Sequence, residues 1–103
     1  MIDESVFTAL ADPTRRSLLA NLAEHSPRTA TQLARDYPIT RQGILKHLGI
    51  LEDVGLVAVQ KRGREKLYTF THEPLTEVEQ WIQEVSSKWD ERLLRLKSFL
   101  ENE

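Results

Sequence analysis

Thr40-Arg-Gln-Gly-Ile-Leu-Lys-His-Leu-Gly-Ile-Leu-Glu-Asp-Val-Gly55, followed by Leu56-Val-Ala-Val-Gln60, Lys61-Arg-Gly-Arg-Glu-Lys66 and Leu67-Tyr-Thr-Phe70, is the stretch that decides the fold. Thr40 is a good N-cap, because its hydroxyl can accept from a first-turn amide that no helical carbonyl reaches. Ile44, Leu48 and Leu51 fall at i, i+4 and i+7 and give one apolar stripe, so a helix is expected over residues 41–54. Gly55 suits the left-handed residue that stops it. Arg41, Gln42 and Lys46 stand apart from that stripe. Two β-rich runs follow, Leu56–Gln60 and Lys66–Phe70, joined by a glycine-containing tip that carries four basic residues. A helix with an uncovered polar first turn thus stands beside a cationic hairpin.

Working outward from this stretch, Thr29 or Thr31 can cap a short helix over Ala30–Asp36, with Leu33 and Ala34 facing inward. Tyr37-Pro38 ends it, since a residue before proline avoids the helical region. A three-residue turn, residues 37–39, then leads to the Thr40 cap. Asp12-Pro13 is an N-cap acid with proline at the first helical position. It opens a helix with Leu18, Leu19, Leu22 and Ala23 at helical spacing, which fades at His25-Ser26-Pro27. Residues 3–10 read as a short helix with Val6, Phe7 and Leu10 apolar. Glu73-Pro74 leads into the longest helix, about 75–101. The predicted class is mostly α with a small β-hairpin, in the order α-α-α-α-β-β-α, as a single domain over residues 1–103.

The pair of helices at 30–36 and 41–54 has the layout of a helix-turn-helix, and the hairpin adds a wing. In such an arrangement the second helix enters the major groove with its N-terminal residues toward the base edges. Arg41 can fork onto guanine, Gln42 onto adenine, and Lys46 lies one turn further on. Thr40 and the free amides of the first turn suit a phosphate. Lys61, Arg62, Arg64 and Lys66 at the tip suit neighbouring phosphates or an adjacent minor groove. Each group also has an ordinary reading as a solvated surface residue, and it is their combination that points to double-stranded DNA. Arg15 and Arg16 are as well suited to an ion pair as to a phosphate. Leu45 suits either a thymine methyl or the core, and His47 suits packing at the helix surface. The rival reading is a winged-helix protein-interaction module whose basic face meets an acidic protein. The polar first turn speaks against it, since a protein-binding helix has no reason to keep apolar anchors away.

A formal net charge of −2 over 103 residues does not oppose a DNA partner once it is divided along the chain. Residues 1–72 carry ten Lys/Arg against eight Asp/Glu, and residues 73–103 carry four against eight. Field and counterion release act over about 8–10 Å, so the local basic patch counts for more than the total. With no cysteine, a disulfide framework, thiol catalysis and thiolate metal sites are excluded. His25, His47 and His72 fall in three elements at no metal-ligand spacing. No Ser/His/Asp arrangement, paired-acid motif or glycine-rich phosphate loop is present, so neither an enzyme nor a cofactor is expected. The N-terminus lacks a signal layout and no apolar run approaches the ~20 residues that span a bilayer. No membrane partner is therefore expected, and the cytoplasm is the expected compartment.

The last helix places Leu75, Val78, Ile82, Val85, Trp89, Leu93, Leu96 and Leu100 at steps of three and four. Its stripe is too long for a domain this small to cover, so a homodimer seam is expected, built with Val6, Phe7 and Leu10 of the first helix. A two-fold dimer would set two recognition helices about one DNA turn apart on an inverted repeat.

The chain resembles the ArsR-type winged-helix repressors of bacteria over roughly residues 5–85. The matching stretches are Phe7-Thr-Ala-Leu-Ala-Asp-Pro-Thr-Arg-Arg16, Thr40 to Val57, and Lys61-Arg-Gly-Arg-Glu-Lys-Leu-Tyr68. The resemblance implies a homodimeric repressor that occludes a promoter until a signal or effector releases it, with the first and last helices as dimer surfaces. Metal-sensing members carry cysteines in the helix before the recognition helix, or His/Asp ligands on the last helix. Here the first region reads Thr31-Gln-Leu-Ala-Arg-Asp36 and the last helix has no histidine, which resembles a subgroup without metal sites. Leu45 stands where many members carry serine.

Overall fold

The computed structural model describes residues 4–102. They form α1 (Glu4–Leu10), α2 (Pro13–His25), α3 (Ala30–Ala34), α4 (Arg41–Asp53), β1 (Val57–Arg62), β2 (Glu65–Phe70) and α5 (Glu73–Glu101). The order is the expected one. Two compact units are formed, one running to Pro74 and one made by the helix from Leu75 onward.

In the first unit, α2, α3 and α4 each start where a cap is satisfied. The Asp12 carboxylate accepts from the amides of Thr14 at 2.8 Å and Arg15 at 3.1 Å. These amide bonds to Arg15 and Thr14 hold its carboxyl below the usual carboxylate range, against a smaller cost of burial. For α3 the cap is Thr29, through a reciprocal box. The Gln32 amide donates to Thr29 Oγ1, and the Thr29 amide donates to Gln32 Oε1. That leaves the Thr31 hydroxyl free of capping duty. Thr40 caps α4 by accepting from the Gly43 amide at 3.0 Å.

The core is built from one face of each helix. Leu18 and Leu22 of α2, Leu33 of α3, Ile44, Leu48 and Leu51 of α4, and Leu56 are all fully buried. Val6 and Ala9 of α1 join them, with Val57 and Tyr68 of the hairpin. The α4 stripe read at i, i+4, i+7 is therefore the centre of the core. Ala23, at helical spacing with the leucines, is exposed; the buried residues of α2 are Leu18, Leu19 and Leu22.

Helix α3 is shorter than predicted. It ends at Ala34, where the Arg35 and Asp36 amides turn back to Gln32 and Leu33 in tight three-residue bonds. The stretch up to the Thr40 cap is correspondingly five residues, 35–39, rather than three, and Ser17 meets the Tyr37 hydroxyl at 3.0 Å within it.

Each hairpin strand extends further toward the tip than its propensities indicate. Pairing is antiparallel from Val57↔Phe70 through Lys61↔Lys66 to Arg62↔Glu65. Only Gly63 and Arg64 remain as the turn, with Gly63 at φ 64°; only glycine adopts this left-handed backbone without steric cost. Arg28 adds a short third line, its amide donating to the Tyr68 carbonyl at 3.0 Å and its carbonyl accepting from the Tyr68 amide at 2.7 Å. The hairpin is thus fastened to the segment that enters α3.

The second unit is a single long helix. At 1.5 Å per residue, the 29 residues of α5 span roughly 44 Å. No residue of α5 is buried in the single chain. Ile82, Val85, Trp89, Leu93, Leu94, Leu96, Phe99 and Leu100 are each between 47% and 66% exposed. Among the described residues, no helix is long and apolar enough to cross a membrane.

Candidate nucleic-acid interface

The first turn of α4 is uncovered. Arg41, Gln42 and Lys46 are exposed, while Ile44 and Leu48 on the opposite face are sealed in the core. Thr40 spends its hydroxyl oxygen on the Gly43 amide, and its O–H proton can still be donated to an anion.

Between this turn, α3 and β2 lies an open groove of about 500 Å³. Its walls carry Thr31 and Arg35 from α3 and its end, Arg41 and Leu45 from α4, and Arg64, Lys66 and Tyr68 from the hairpin. Four cations line this groove, with Glu65 as the one carboxylate among them. Of the residues singled out from sequence, Arg41, Arg64 and Lys66 are brought together here. Gln42, Lys46, Lys61 and Arg62 are exposed around it without lining it. Leu45 is half-buried and forms part of the groove floor.

The hairpin register sets which strand residues share a face. Residues at alternate positions share a face, so Val57, Val59 and Lys61 stand with Phe70, Tyr68 and Lys66. Val57 and Tyr68 are buried, so this is the face toward the helices. It also sets Lys61 directly opposite Lys66, two like charges on adjacent strands. Such a pair destabilises a free hairpin, and a polyanion beside it would offset that cost. Arg62 and Glu65 are opposite in charge and share the other face.

Tyr68 anchors the groove from below. Burial raises the pKa of its hydroxyl, the Glu52 carboxylate adds to this, and Arg41 works the other way. A neutral phenol is therefore kept beside the cations.

Arg15 and Arg16 have structural work instead. Arg15 Nε donates to the Ala9 carbonyl at 2.7 Å and Nη2 to Thr8 at 3.1 Å. Its Nη1 stands 3.7 Å from Asp12 and 3.5 Å from His47 Nδ1. Arg16 Nη1 donates to the Leu10 carbonyl at 2.7 Å. Together they close the C-terminal end of α1, where free carbonyls favour cations.

Arg35, Thr31 and Tyr68 belong to the groove and were not singled out by sequence reading. Arg35 follows a helix end, a place where a cation is ordinary, and Tyr68 reads simply as a strand residue. Among the described residues, no group of three or more His, Cys, Asp or Glu is placed to hold a metal ion.

Residues 10–60 match the family described as "Helix-turn-helix domain". The chain is 39% identical over 87 residues to the HTH-type transcriptional regulator YuzN of Bacillus subtilis, covering 78% of this chain and 95% of that protein. It is 29% identical over 89 residues to the transcriptional repressor SdpR of the same organism, covering 86% and 98%. Its fold matches an ArsR-like transcriptional regulator from Rhodococcus sp. RHA1 with a TM-score of 0.79 and 36% identity, over 97% of this chain and 91% of that one.

Proposed function

The chain belongs to the ArsR-type winged helix-turn-helix transcriptional regulators, and on that premise we propose that it is a cytoplasmic homodimer that recognises an inverted-repeat operator and represses by occupying it. The observation that carries this reading is the groove between the α4 first turn and the wing, where Arg41 faces Arg64 and Lys66. Cations on two separate elements flank a channel, and the helix that forms one side keeps its first turn clear of apolar side chains. That is the chemistry of a duplex: base edges for the helix, phosphates for the wing. Arg41, Gln42 and Lys46 address the major groove, Thr40 holds a phosphate, and Lys61, Arg62, Arg64 and Lys66 address the backbone.

The dimer follows from what the single chain leaves uncovered. Val78, Ile82, Val85, Trp89, Leu93 and Leu96 of α5 form a stripe larger than monomeric soluble proteins ordinarily expose, and we assign it to a second copy. Phe7, 36% exposed, and the half-buried Leu10 of α1 are assigned to the dimer contact as well. Val6, at 5% exposure, is buried in the core of its own unit. Repression is the direction named for SdpR, and a dimer seated on a promoter needs no further activity to exert it.

Selection from a randomised duplex library, followed by affinity measurements across a salt series, tests the proposal. The expected result is an enriched inverted repeat bound with a steep salt slope. Salt-sensitive binding with no enriched sequence would remove operator recognition, and no binding at low salt would leave an acidic protein as the partner of the basic face.

A further inference from the structure

Arg41 is not held by α4 alone. Its Nε donates to Thr31 Oγ1 at 3.2 Å, from the recognition helix back to the short helix before it. Because Thr29 is the cap of α3, the Thr31 hydroxyl is not required for the helix start. Spending Nε on that hydroxyl leaves the two terminal guanidinium nitrogens, the planar fork that matches guanine O6 and N7.

We propose that Thr31 is a positioning residue for base reading, which orients the Arg41 guanidinium before DNA arrives. The inference rests on the assignment of Arg41 to the major groove made above. Arginine has a long side chain with many rotamers, and fixing it on binding opposes association. A tether at Nε removes part of that cost while leaving the reading edge intact. Thr31 thereby acts on specificity without touching DNA.

Thr31→Val removes the acceptor but keeps the branched shape and a similar helix propensity, and Thr31→Ser keeps the acceptor. Both are measured with Arg41→Ala and the double variant on the selected operator, on operators changed at each position, and across a salt series. Thr31→Val should cut discrimination at the position read by Arg41 by about three- to tenfold, the scale of one immobilised side chain. The salt slope and the preferences at other positions should stay unchanged, and Thr31→Ser should restore discrimination. In the Arg41→Ala background, Thr31→Val should have no effect on base preference. If Arg41→Ala abolishes the preference while Thr31→Val preserves it, the positioning role is wrong and the reading of Arg41 stands. An equal loss at every position with a lowered melting temperature would make Thr31 a packing residue and also overturn the proposal. If Arg41→Ala itself preserves the preference, the reading beneath the proposal fails.

Discussion

Lys61→Glu should strengthen the fold and weaken DNA binding in the same molecule. In the hairpin Lys61 stands directly opposite Lys66, a register in which paired Cβ atoms lie about 4.5–5.5 Å apart. Both side chains are exposed, so the interaction is screened and its scale is that of surface pairs. Replacing a like-charge pair by an opposite-charge one should add roughly 0.5–1 kcal/mol of stability. For a chain of this size that raises the melting temperature by about 2–4 °C, and the gain should fade at high salt. On DNA the sign reverses. If each wing of a dimer loses one phosphate contact, the logarithmic salt slope becomes shallower by roughly 1.8. The gap between wild type and variant should then shrink about tenfold between 50 and 200 mM salt. Thermal unfolding with salt titration measures the first effect, and operator binding over the same salt range measures the second, with Lys61→Gln intermediate in both. A variant that is less stable than wild type refutes the register argument, and an unchanged salt slope takes Lys61 off the phosphate-facing surface.

Arg64→Ala should weaken binding to operator and unrelated duplexes alike and flatten the salt slope by about one unit per wing engaged; loss confined to the operator would make Arg64 a base reader. Leu93→Glu with Leu96→Glu should convert the dimer to a folded monomer, seen as a halved mass in sedimentation with helical content retained, whereas an unchanged mass would move the seam elsewhere. Leu48→Ala, in the fully buried stripe of α4, should cost about 2–5 kcal/mol of stability by denaturant unfolding, and a smaller loss would mean the site collapses around the missing atoms. Asp12 titrates below its usual range in the folded protein, so the unfolded chain takes up the proton first as pH falls. Its contribution is full near neutrality and is lost as pH drops through about 4 and below. Asp12→Asn keeps a capping oxygen and should flatten that part of the acid limb; an identical acid profile would mean other carboxylates control it.

Elements whose cause is local were legible in the sequence. Asp12-Pro13, Thr40 and Gly55 mark helix ends through groups within three or four residues, and the Ile44, Leu48, Leu51 stripe needs only helical geometry. The misjudged ends have two different causes. Lys61, Arg62 and Glu65 have weak strand propensity, and it is cross-strand pairing that carries the ladder to the two-residue turn. Helix α3 stops at Ala34 because tight backbone bonds of Arg35 and Asp36 replace the helical ones, which composition does not signal. The interface divides the same way. Arg41 and Gln42 could be picked out from their position after a cap. Thr31, Arg35 and Tyr68 join them only because three separate elements converge. Arg15 was open to two readings, and its three backbone and carboxylate partners show it to be a clasp on α1.

The main-chain bridge between Arg28 and Tyr68 separates what supports the wing from what the wing touches. A two-stranded hairpin alone is marginal in water, and this one is anchored at mid-strand by amide and carbonyl groups that every residue type except proline supplies. The side chains from Lys61 to Lys66 can therefore drift without loosening their support. Exchange at the tip would retune which anionic surface is gripped, and how firmly, while the framework beneath stays the same. Such a layout lets one ancestral scaffold diversify into many regulators through its most tolerant segment.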